Sequence, residues 1–279
     1  MLIDYHMHLE QGDFSPSWLR RFLDTALSRG VQEIAITEHA YRFRQAAGLL
    51  PAWWEQRTGP AQDLEEYVNL ITTAQREGWP VKLGIEIDYV PGREDDIARR
   101  LVEPYPWDVV LGSVHWLGDW PFDVDPASWQ GRDVDSAYGQ YFATLARMAT
   151  SGLFDVISHP DVIKVFGFRS RQPLAPLFRP VLEAAQARHM AVEISSAGWR
   201  KRVGEVYPAP ELLDLVQALH LPVTLASDAH RPQDVAADFG RLCEYAWTHG
   251  IRQVTVFSRR SPSQRPLGPE STAEAGAAG

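Results

Sequence analysis

The sequence predicts a single α/β barrel domain, on three observations. The chain has 279 residues, of which 45% are hydrophobic, and α/β barrels of this size commonly form one domain. Short strand-like runs alternate with helical patterns along nearly the whole length. Several of these runs are continuously apolar, which is typical of strands that are buried on both faces of a parallel sheet.

Eight strands and seven helices are predicted in alternation. The strands are expected at residues 2–9, 33–39, 81–89, 108–115, 155–159, 191–195, 223–227 and 253–257. The helices are expected at residues 17–28, 64–77, 94–101, 136–150, 175–188, 210–219 and 232–249. Because the carboxyl ends of barrel strands converge on one face, side chains at these ends are expected to meet there.

Six of the nine histidines stand at or just after predicted strand ends, with carboxylates nearby. The segments are Asp4-Tyr5-His6-Met7-His8, Thr37-Glu38-His39, Gly84-Ile85-Glu86, Gly112-Ser113-Val114-His115, Ser158-His159-Pro160-Asp161 and Ser227-Asp228-Ala229-His230. His, Asp and Glu are the ligands of hydrolytic Zn, Mn or Fe sites. A hydrogen-bonded core histidine explains any one of them, but their recurrence at equivalent places predicts a multinuclear metal hydrolase.

Two pairs of candidate ligands, one His/His and one Asp/His, are spaced at the period of a strand. Alternate residues of a strand point to the same side, so His6 and His8 are expected on one side of their strand, and Asp228 and His230 on one side of theirs. The other three histidines, His189, His220 and His249, stand near predicted helix carboxyl ends. A cation is stabilised there by the helix dipole, so these three are expected to be structural.

Composition narrows the function classes. The net charge of −9 argues against a nucleic-acid-binding surface, and no apolar run is long enough to cross a membrane. The single Cys243 and the absence of a leader before the first histidines predict a cytoplasmic protein. Residues 259–279, rich in Ser, Pro, Gly and Ala, are expected to form a disordered tail.

The ordered histidine and carboxylate motifs resemble those of the PHP (polymerase and histidinol phosphatase) family, and more closely its histidinol-phosphate phosphatase branch. The similarity extends over residues 1–258. It implies a single-domain, distorted (β/α)7 TIM-like barrel. It also implies the metal-dependent hydrolysis of L-histidinol phosphate to histidinol and phosphate, a step of histidine biosynthesis. The partner expected is therefore a small phosphate monoester.

The resemblance also implies two to three divalent ions and their ligands. His6, His8, Glu86 and Asp228 are expected to hold the first ion, Glu86 with His115 and His159 the second, and His39 with His230 the third. The family often places a further histidine after the first motif, where this chain has residues 9–14. Glu10 or Asp13, with Glu10 preferred, is therefore expected to complete the third site. Asp228, His230 and Glu86 are the expected catalytic residues.

Basic side chains in the loops after the strands are candidate phosphate contacts. The candidates are Arg42, Arg44, Lys164, Arg169, Arg171, Arg200, Lys201 and Arg202, of which Lys164 and Arg200 are preferred, with Arg42 and Arg44 next. For each of them a solvated surface charge is the alternative. An acidic loop with aromatic residues, 118–125, either complements the ammonium and imidazole of the substrate or is a structural Trp–Pro loop.

Three other functions fit parts of the pattern. A PHP phosphoesterase acting on nucleotides keeps the metal chemistry, although the acidic balance argues against a polymeric substrate. A metal-stabilised scaffold without activity conflicts with two complete ligand sets. An amidohydrolase also begins with His-x-His in a barrel, but Glu86 and the closing Asp228-Ala229-His230 favour the PHP pattern.

Overall fold

The computed structural model describes residues 1–58 and 61–268, and its centre is a seven-stranded parallel sheet. The strands, in spatial order, are β1 (Ile3–Asp4), β2 (Glu33–Ile36), β3 (Val81–Asp88), β4 (Val109–Ser113), β7 (Val156–Ile157), β8 (Ala191–Ser195) and β9 (Val223–Ala226). The chain beside β1 then meets the chain beside β9. The Tyr5 amide donates to the Leu225 carbonyl at 3.0 Å, and the His8 amide donates to the Ala229 carbonyl at 2.8 Å. The sheet therefore closes into a barrel, as predicted.

Nine α-helices are found in the described residues, most of them between successive strands of the barrel. They are α1 (Pro16–Ser28), α2 (Ala52–Thr58), α3 (Leu64–Arg76), α4 (Glu94–Ile97), α5 (Val134–Ser151), α6 (Ala175–Ala187), α7 (Ala197–Arg200), α8 (Pro210–Ala218) and α9 (Phe239–Thr248). The start of α1 shows why they form where they do: the Ser15 side chain accepts a hydrogen bond from the Trp18 amide, and a proline follows it in the first turn. Within the described ranges, no helix is long and apolar enough to span a membrane.

The predicted helices differ from the observed ones in three places. The short helices α2 and α7 were not predicted. The helix predicted over 94–101 is α-helical only as far as Ile97, and the chain then forms a π-helical turn, Ala98–Val102. The helix predicted over 232–249 is broken, because Ala236 and Asp238 have φ angles of 52° and 61°, which no right-handed helix accommodates.

Two small antiparallel hairpins lie outside the barrel sheet. One joins β5 (Trp116–Leu117) to β6 (Trp120–Pro121) directly after β4. The other joins β10 (Gln253–Ser258) to β11 (Ser261–Pro266). The predicted eighth strand therefore exists, but it pairs in this second hairpin and does not enter the barrel.

The second hairpin corrects the predicted tail. The prediction that residues 259–279 are disordered is wrong for residues 259–268, which are ordered. Residues 269–279 lie outside the described ranges. The Arg260 guanidinium bonds both oxygens of the Asp155 carboxylate at 2.9–3.1 Å, and the amino group of Met1 donates to the Pro266 carbonyl at 2.6 Å. Backbone pairing and the charged contact of Arg260 hold this strand in place. Because neither depends on apolar residues, composition alone did not predict it.

A close approach of β2 and β3 helps to shape the carboxyl end of the barrel. The buried Tyr67 hydroxyl lies 2.7 Å from the Ile36 carbonyl and 2.8 Å from the Gly84 carbonyl. A Cβ atom on Gly84 would come within 2.6 Å of the Thr37 side chain. Only glycine fits there without displacing the two strands that carry His39 and Glu86 to the same end.

Candidate metal centre

The predicted strand-end ligands meet at the carboxyl end of the barrel. Three groups of side chains bring their ligand atoms within 4.8 Å of one another: His6 with His8 and Asp228, His6 with Glu86 and His159, and His8 with His39 and His230. The groups share His6 and His8, so they form one continuous cluster. The convergence that the strand-end positions predicted is confirmed.

Glu86 lies at the centre of this cluster and is fully buried. Its Oε1 is 3.1 Å from His159 Nε2 and 3.8 Å from His115 Nε2. Its Oε2 is 2.7 Å from His39 Nδ1 and 3.4 Å from His6 Nε2. The two oxygens thus face different histidines, which is the geometry of a carboxylate that bridges neighbouring metal positions.

Asp228 joins the first and third groups. Its Oδ1 lies 3.3 Å from His8 Nε2 and 3.2 Å from His230 Nε2. Its φ is 50°, a left-handed conformation that costs energy for a residue with a Cβ and that tends to mark functional sites. The Asp228 and His230 side chains lie together, as expected, but a left-handed residue and not a continuous strand brings them there.

Several of the histidines hold a carboxylate on the ring nitrogen that faces away from the cluster. The pairs are His6 Nδ1 with Glu193 Oε2 at 2.8 Å, His115 Nδ1 with Asp88 Oδ1 at 2.8 Å, and His230 Nδ1 with Glu10 Oε1 at 2.6 Å. Histidines that bind metals commonly donate their other N–H to a carboxylate in this way, which fixes the tautomer. In all three, Nε2 is left facing the centre.

Unpaired atoms test whether a cation fits this place. His6 Nε2 and His8 Nε2 are buried and make no hydrogen bond of normal geometry among the described residues. Buried polar atoms without partners are costly, by about 1–3 kcal/mol each, and native proteins contain few of them. Imidazole nitrogens and carboxylate oxygens that converge in this way fit a divalent ion.

The charges of the cluster agree with that interpretation. Burial alone would raise the pKa of Glu86, yet His6 and His39 hold it well below its usual value. Burial opposes ionisation of Asp228 in the same way, and His6 and His230 again hold its pKa well below the usual value. Both carboxyls are therefore ionised, as ligands of a cation must be.

A cavity of about 370 Å³ opens directly over the cluster. Its walls combine the metal-ligand candidates with basic, acidic and aromatic side chains. Besides His39, His115, His159, Asp228 and His230, the lining includes Lys201, Arg202, Tyr41, Trp54, Trp116, Asp123 and Tyr207. A small molecule that carries both negative and positive groups is complementary to such a lining.

Lys164 is not part of this lining, which corrects its assignment as a phosphate contact. Its ammonium is buried, 2.6 Å from the Asp161 carboxylate and 2.7 Å from the Glu205 carboxylate, and it donates to the Val206 carbonyl. The 3₁₀ turn Val162–Lys164 directs the side chain beneath the loop that follows α7. Its role there is structural.

The other three predicted phosphate contacts are also engaged elsewhere. The Arg200 guanidinium bonds the Ser227 carbonyl, Arg42 lies 3.4 Å from the buried Glu38 carboxylate, and the exposed Arg44 pairs with Asp63. None of the three lines the cavity. Lys201 and Arg202, which belong to the same basic segment but were not preferred, do line it. Helix α7 ends at Arg200, and the turn that follows places the next two residues, which are exposed, at the edge of the cavity.

The two candidates for the third site are separated by the structure. Glu10 lines the cavity and contacts His230, whereas the Asp13 carboxylate accepts a hydrogen bond from the Ser15 hydroxyl in an exposed turn. Sequence reasoning missed Glu193 as a functional residue. The available signal was a carboxylate inside the otherwise buried strand β8, where an unpaired charge is not tolerated.

Fold and site together define an α/β-barrel protein with a carboxylate- and histidine-rich centre suited to metal ions. The PHP domain family model matches residues 4–197, and the chain belongs to this family. It is 32% identical over 268 residues to a probable histidinol-phosphatase of Deinococcus radiodurans, covering 93% of this chain and 98% of the relative. It is 26% identical over 256 residues to the histidinol-phosphatase of Bacillus subtilis, covering 81% and 92% of the two chains.

Solved structures share the fold. The histidinol phosphate phosphatase of Lactococcus lactis, solved with zinc, L-histidinol and phosphate, matches with a TM-score of 0.73 at 20% identity, over 94% of this chain and 98% of that one. A putative histidinol phosphatase of Listeria monocytogenes matches with a TM-score of 0.71 at 19% identity, over 86% and 99%. The predicted family and the TIM-like barrel are thereby confirmed.

Proposed function

We propose that the protein is a metal-dependent phosphomonoesterase that hydrolyses L-histidinol phosphate to histidinol and phosphate, a step of histidine biosynthesis. The observation that carries this proposal is the cavity over the ligand cluster, whose lining includes two basic residues, Lys201 and Arg202, and the acidic Asp123. A zwitterionic phosphate ester requires both kinds of charge. The full-length similarity to a relative named as a probable histidinol-phosphatase supports the same substrate.

The ligand groups support a centre of two to three divalent ions, of Zn, Mn or Fe. His6, His8, Glu86 and Asp228 would hold the first ion, Glu86, His115 and His159 the second, and His39 with His230 the third. Bound divalent ions lower the pKa of water toward neutrality and neutralise phosphoryl oxygens. Glu86 faces both sets of histidines, so its carboxylate would serve both of the first two positions.

Side chains of the cavity wall would position the ester. Lys201 and Arg202 supply positive charge for the phosphoryl oxygens, whose negative charge must be balanced as the ester bond breaks. The Tyr207 hydroxyl is buried and has no hydrogen-bond partner among the described residues. Burial raises its pKa well above the usual value, so it stays protonated and can donate to a phosphoryl oxygen. Asp228 and His230 face the cavity and are assigned to proton transfer.

Glu10 is assigned to the support of the third metal position: its carboxylate contacts His230 Nδ1, the ring nitrogen that faces away from the cluster, and so orients Nε2 toward it. Glu10→Ala removes that contact, so the third ion should bind more weakly while the other two stay bound. Metal analysis of the purified variant should fall from three ions per chain to two. Asp13→Ala, which lies in the exposed turn, is the control and should keep three. Three ions in both variants would contradict the assignment.

A phosphatase panel tests the activity. Protein reconstituted with Zn or Mn is assayed for phosphate release from L-histidinol phosphate, mononucleotides and sugar phosphates, and histidinol phosphate should give the highest kcat/KM. His159→Asn should reduce kcat/KM by more than about 100-fold, because losing a ligand costs more than losing a group that only orients one. The exposed His220→Asn is the matched control and should retain activity. A clear preference for a mononucleotide would overturn the proposed substrate.

A further inference from the structure

Asp123 is a carboxylate at the cavity that the metal centre leaves unused. It lines the cavity beside His115 and Trp116. Its Oδ1 is shielded from solvent and has no hydrogen-bond partner among the residues that the structure describes. No described Lys, Arg or His lies within ion-pair distance of it. A shielded carboxylate oxygen without a partner is costly, which points to a donor that arrives with a ligand.

The backbone holds Asp123 rigidly in this position. The β5–β6 hairpin folds back over the end of β4, and the Phe122 amide donates to the His115 carbonyl at 3.3 Å. The Phe122 side chain is fully buried, and the Trp129 indole donates to the Phe122 carbonyl at 2.8 Å. The carboxylate is therefore presented to the cavity from a fixed support, as a binding group should be.

Orienting His115 does not account for Asp123. The His115 Nδ1 is already 2.8 Å from the Asp88 carboxylate, and its Nε2 faces His159 Nε2 at 3.3 Å and Glu86 Oε1 at 3.8 Å. Both ring nitrogens thus have neighbours without Asp123. Burial raises the pKa of Asp123, His115 opposes the rise and Asp88 adds to it. Asp123 Oδ1 is therefore left to accept a hydrogen bond from a positively charged group of a ligand.

We propose that Asp123 binds the ammonium group of the substrate and so selects aminoalkyl phosphate esters over esters without the amine. This inference rests on the proposed function. In histidinol phosphate the ammonium is carried by the carbon next to the ester-bearing carbon, so it lies close to the oxygen of the bond that breaks. Asp123 stands beside His115 and His159, next to the centre where the phosphoryl group is expected. The Trp116 ring, which lines the same wall, adds an aromatic face for the cation.

Two esters that differ only in the amine test the proposal. Histidinol phosphate and 3-(imidazol-4-yl)propyl phosphate are compared on the metal-loaded wild-type protein and on Asp123→Asn, a nearly isosteric change that removes the charge. Loss of a charge-assisted hydrogen bond should lower kcat/KM for histidinol phosphate by about ten- to hundred-fold. Turnover of the deamino ester should stay within about twofold. Asp119→Asn, in the exposed part of the same loop, is the matched control and should change neither.

Product inhibition provides a second readout that does not depend on turnover chemistry. Asp123→Asn should weaken inhibition by L-histidinol while leaving inhibition by inorganic phosphate and the metal content unchanged, and Asp123→Glu should restore part of the preference. Equal losses on both esters, or an unchanged preference, would overturn the role of Asp123. If Asp123→Asn does not fold, Asp123→Ser takes its place in the same comparison. A wild-type protein that cleaves the deamino ester but not histidinol phosphate would instead overturn the proposed function.

Discussion

Glu193 connects two of the ligand groups without belonging to either. Its side chain is buried, Oε2 lies 2.8 Å from His6 Nδ1, and Oε1 accepts a hydrogen bond from the His159 amide at 3.1 Å. One carboxylate thus fixes the ring of a candidate ligand in the first group and the backbone of a candidate ligand in the second. We predict that Glu193→Gln weakens metal binding at both positions together.

The size of the effect follows from the number of donors. The His6 Nδ1–H and the His159 N–H each require an acceptor, and a glutamine amide offers one oxygen and one NH₂ group. Whichever way the amide turns, one donor faces another donor in a buried place, which costs about 1–3 kcal/mol. This range agrees with the roughly 10- to 100-fold loss in metal affinity that follows removal of an outer partner.

Chelator competition measures the predicted change in apparent metal Kd, and activity is then titrated against added metal. Glu193→Gln should recover much of its activity at high metal concentration, because the ligands themselves are intact. Glu183→Gln makes the same chemical change on the exposed face of α6 and should bind metal as the wild type does. Unchanged metal affinity in Glu193→Gln, or a loss of activity that added metal does not rescue, would refute the reasoning.

Two further predictions concern stability. Burial tends to raise the pKa of Glu205, but hydrogen bonds from Lys164 and Arg169 lower it below 4.5. The ionised carboxylate therefore stabilises the fold above about pH 4.5, and this contribution is lost as the pH falls. Glu205→Gln should lower Tm at neutral pH, and its difference from the wild type should narrow in acid; a constant difference would contradict this. Arg260→Ala leaves Asp155 without its guanidinium partner and should lower the free energy of unfolding, measured in urea, by about 1.5–3 kcal/mol. The exposed Arg265→Ala is the control and should change it little. Equal effects of the two substitutions would argue against the anchoring role of Arg260.

Much of the barrel and the convergence of the candidate ligands were predictable because both depend on the same feature, the ends of buried strands. An apolar run that stops at a histidine or a carboxylate gives the strand and the position of the ligand at once. His39, Glu86 and His115 were placed in this way, and their distances to one another confirm it. No detail of side-chain direction was needed, because parallel strands in a barrel bring their ends together whatever the loops do.

Which basic side chains line the cavity was not predictable, for the opposite reason. Lys164 and Arg200 each follow a strand end by a few residues, as do Lys201 and Arg202. Which of them reaches the cavity is decided by the 3₁₀ turn at Val162–Lys164 and by the end of helix α7, short elements whose geometry leaves little trace in the sequence. A basic residue near a strand end therefore predicts a charged rim, but not the particular side chain that faces the ligand.

The buried carboxylates show where sequence information stops. Asp4 and Glu193 both interrupt apolar strands, and each is fully enclosed. Asp4 accepts hydrogen bonds from the backbone of Ser227 and Ala236 at 2.8 Å and so holds the closing edge of the barrel, whereas Glu193 accepts from two metal-ligand residues. The sequence signal is the same in both, because burial demands a partner without specifying which one. Only the hydrogen-bond partner in the structure distinguishes Asp4, which holds the barrel edge, from Glu193, which contacts candidate metal ligands.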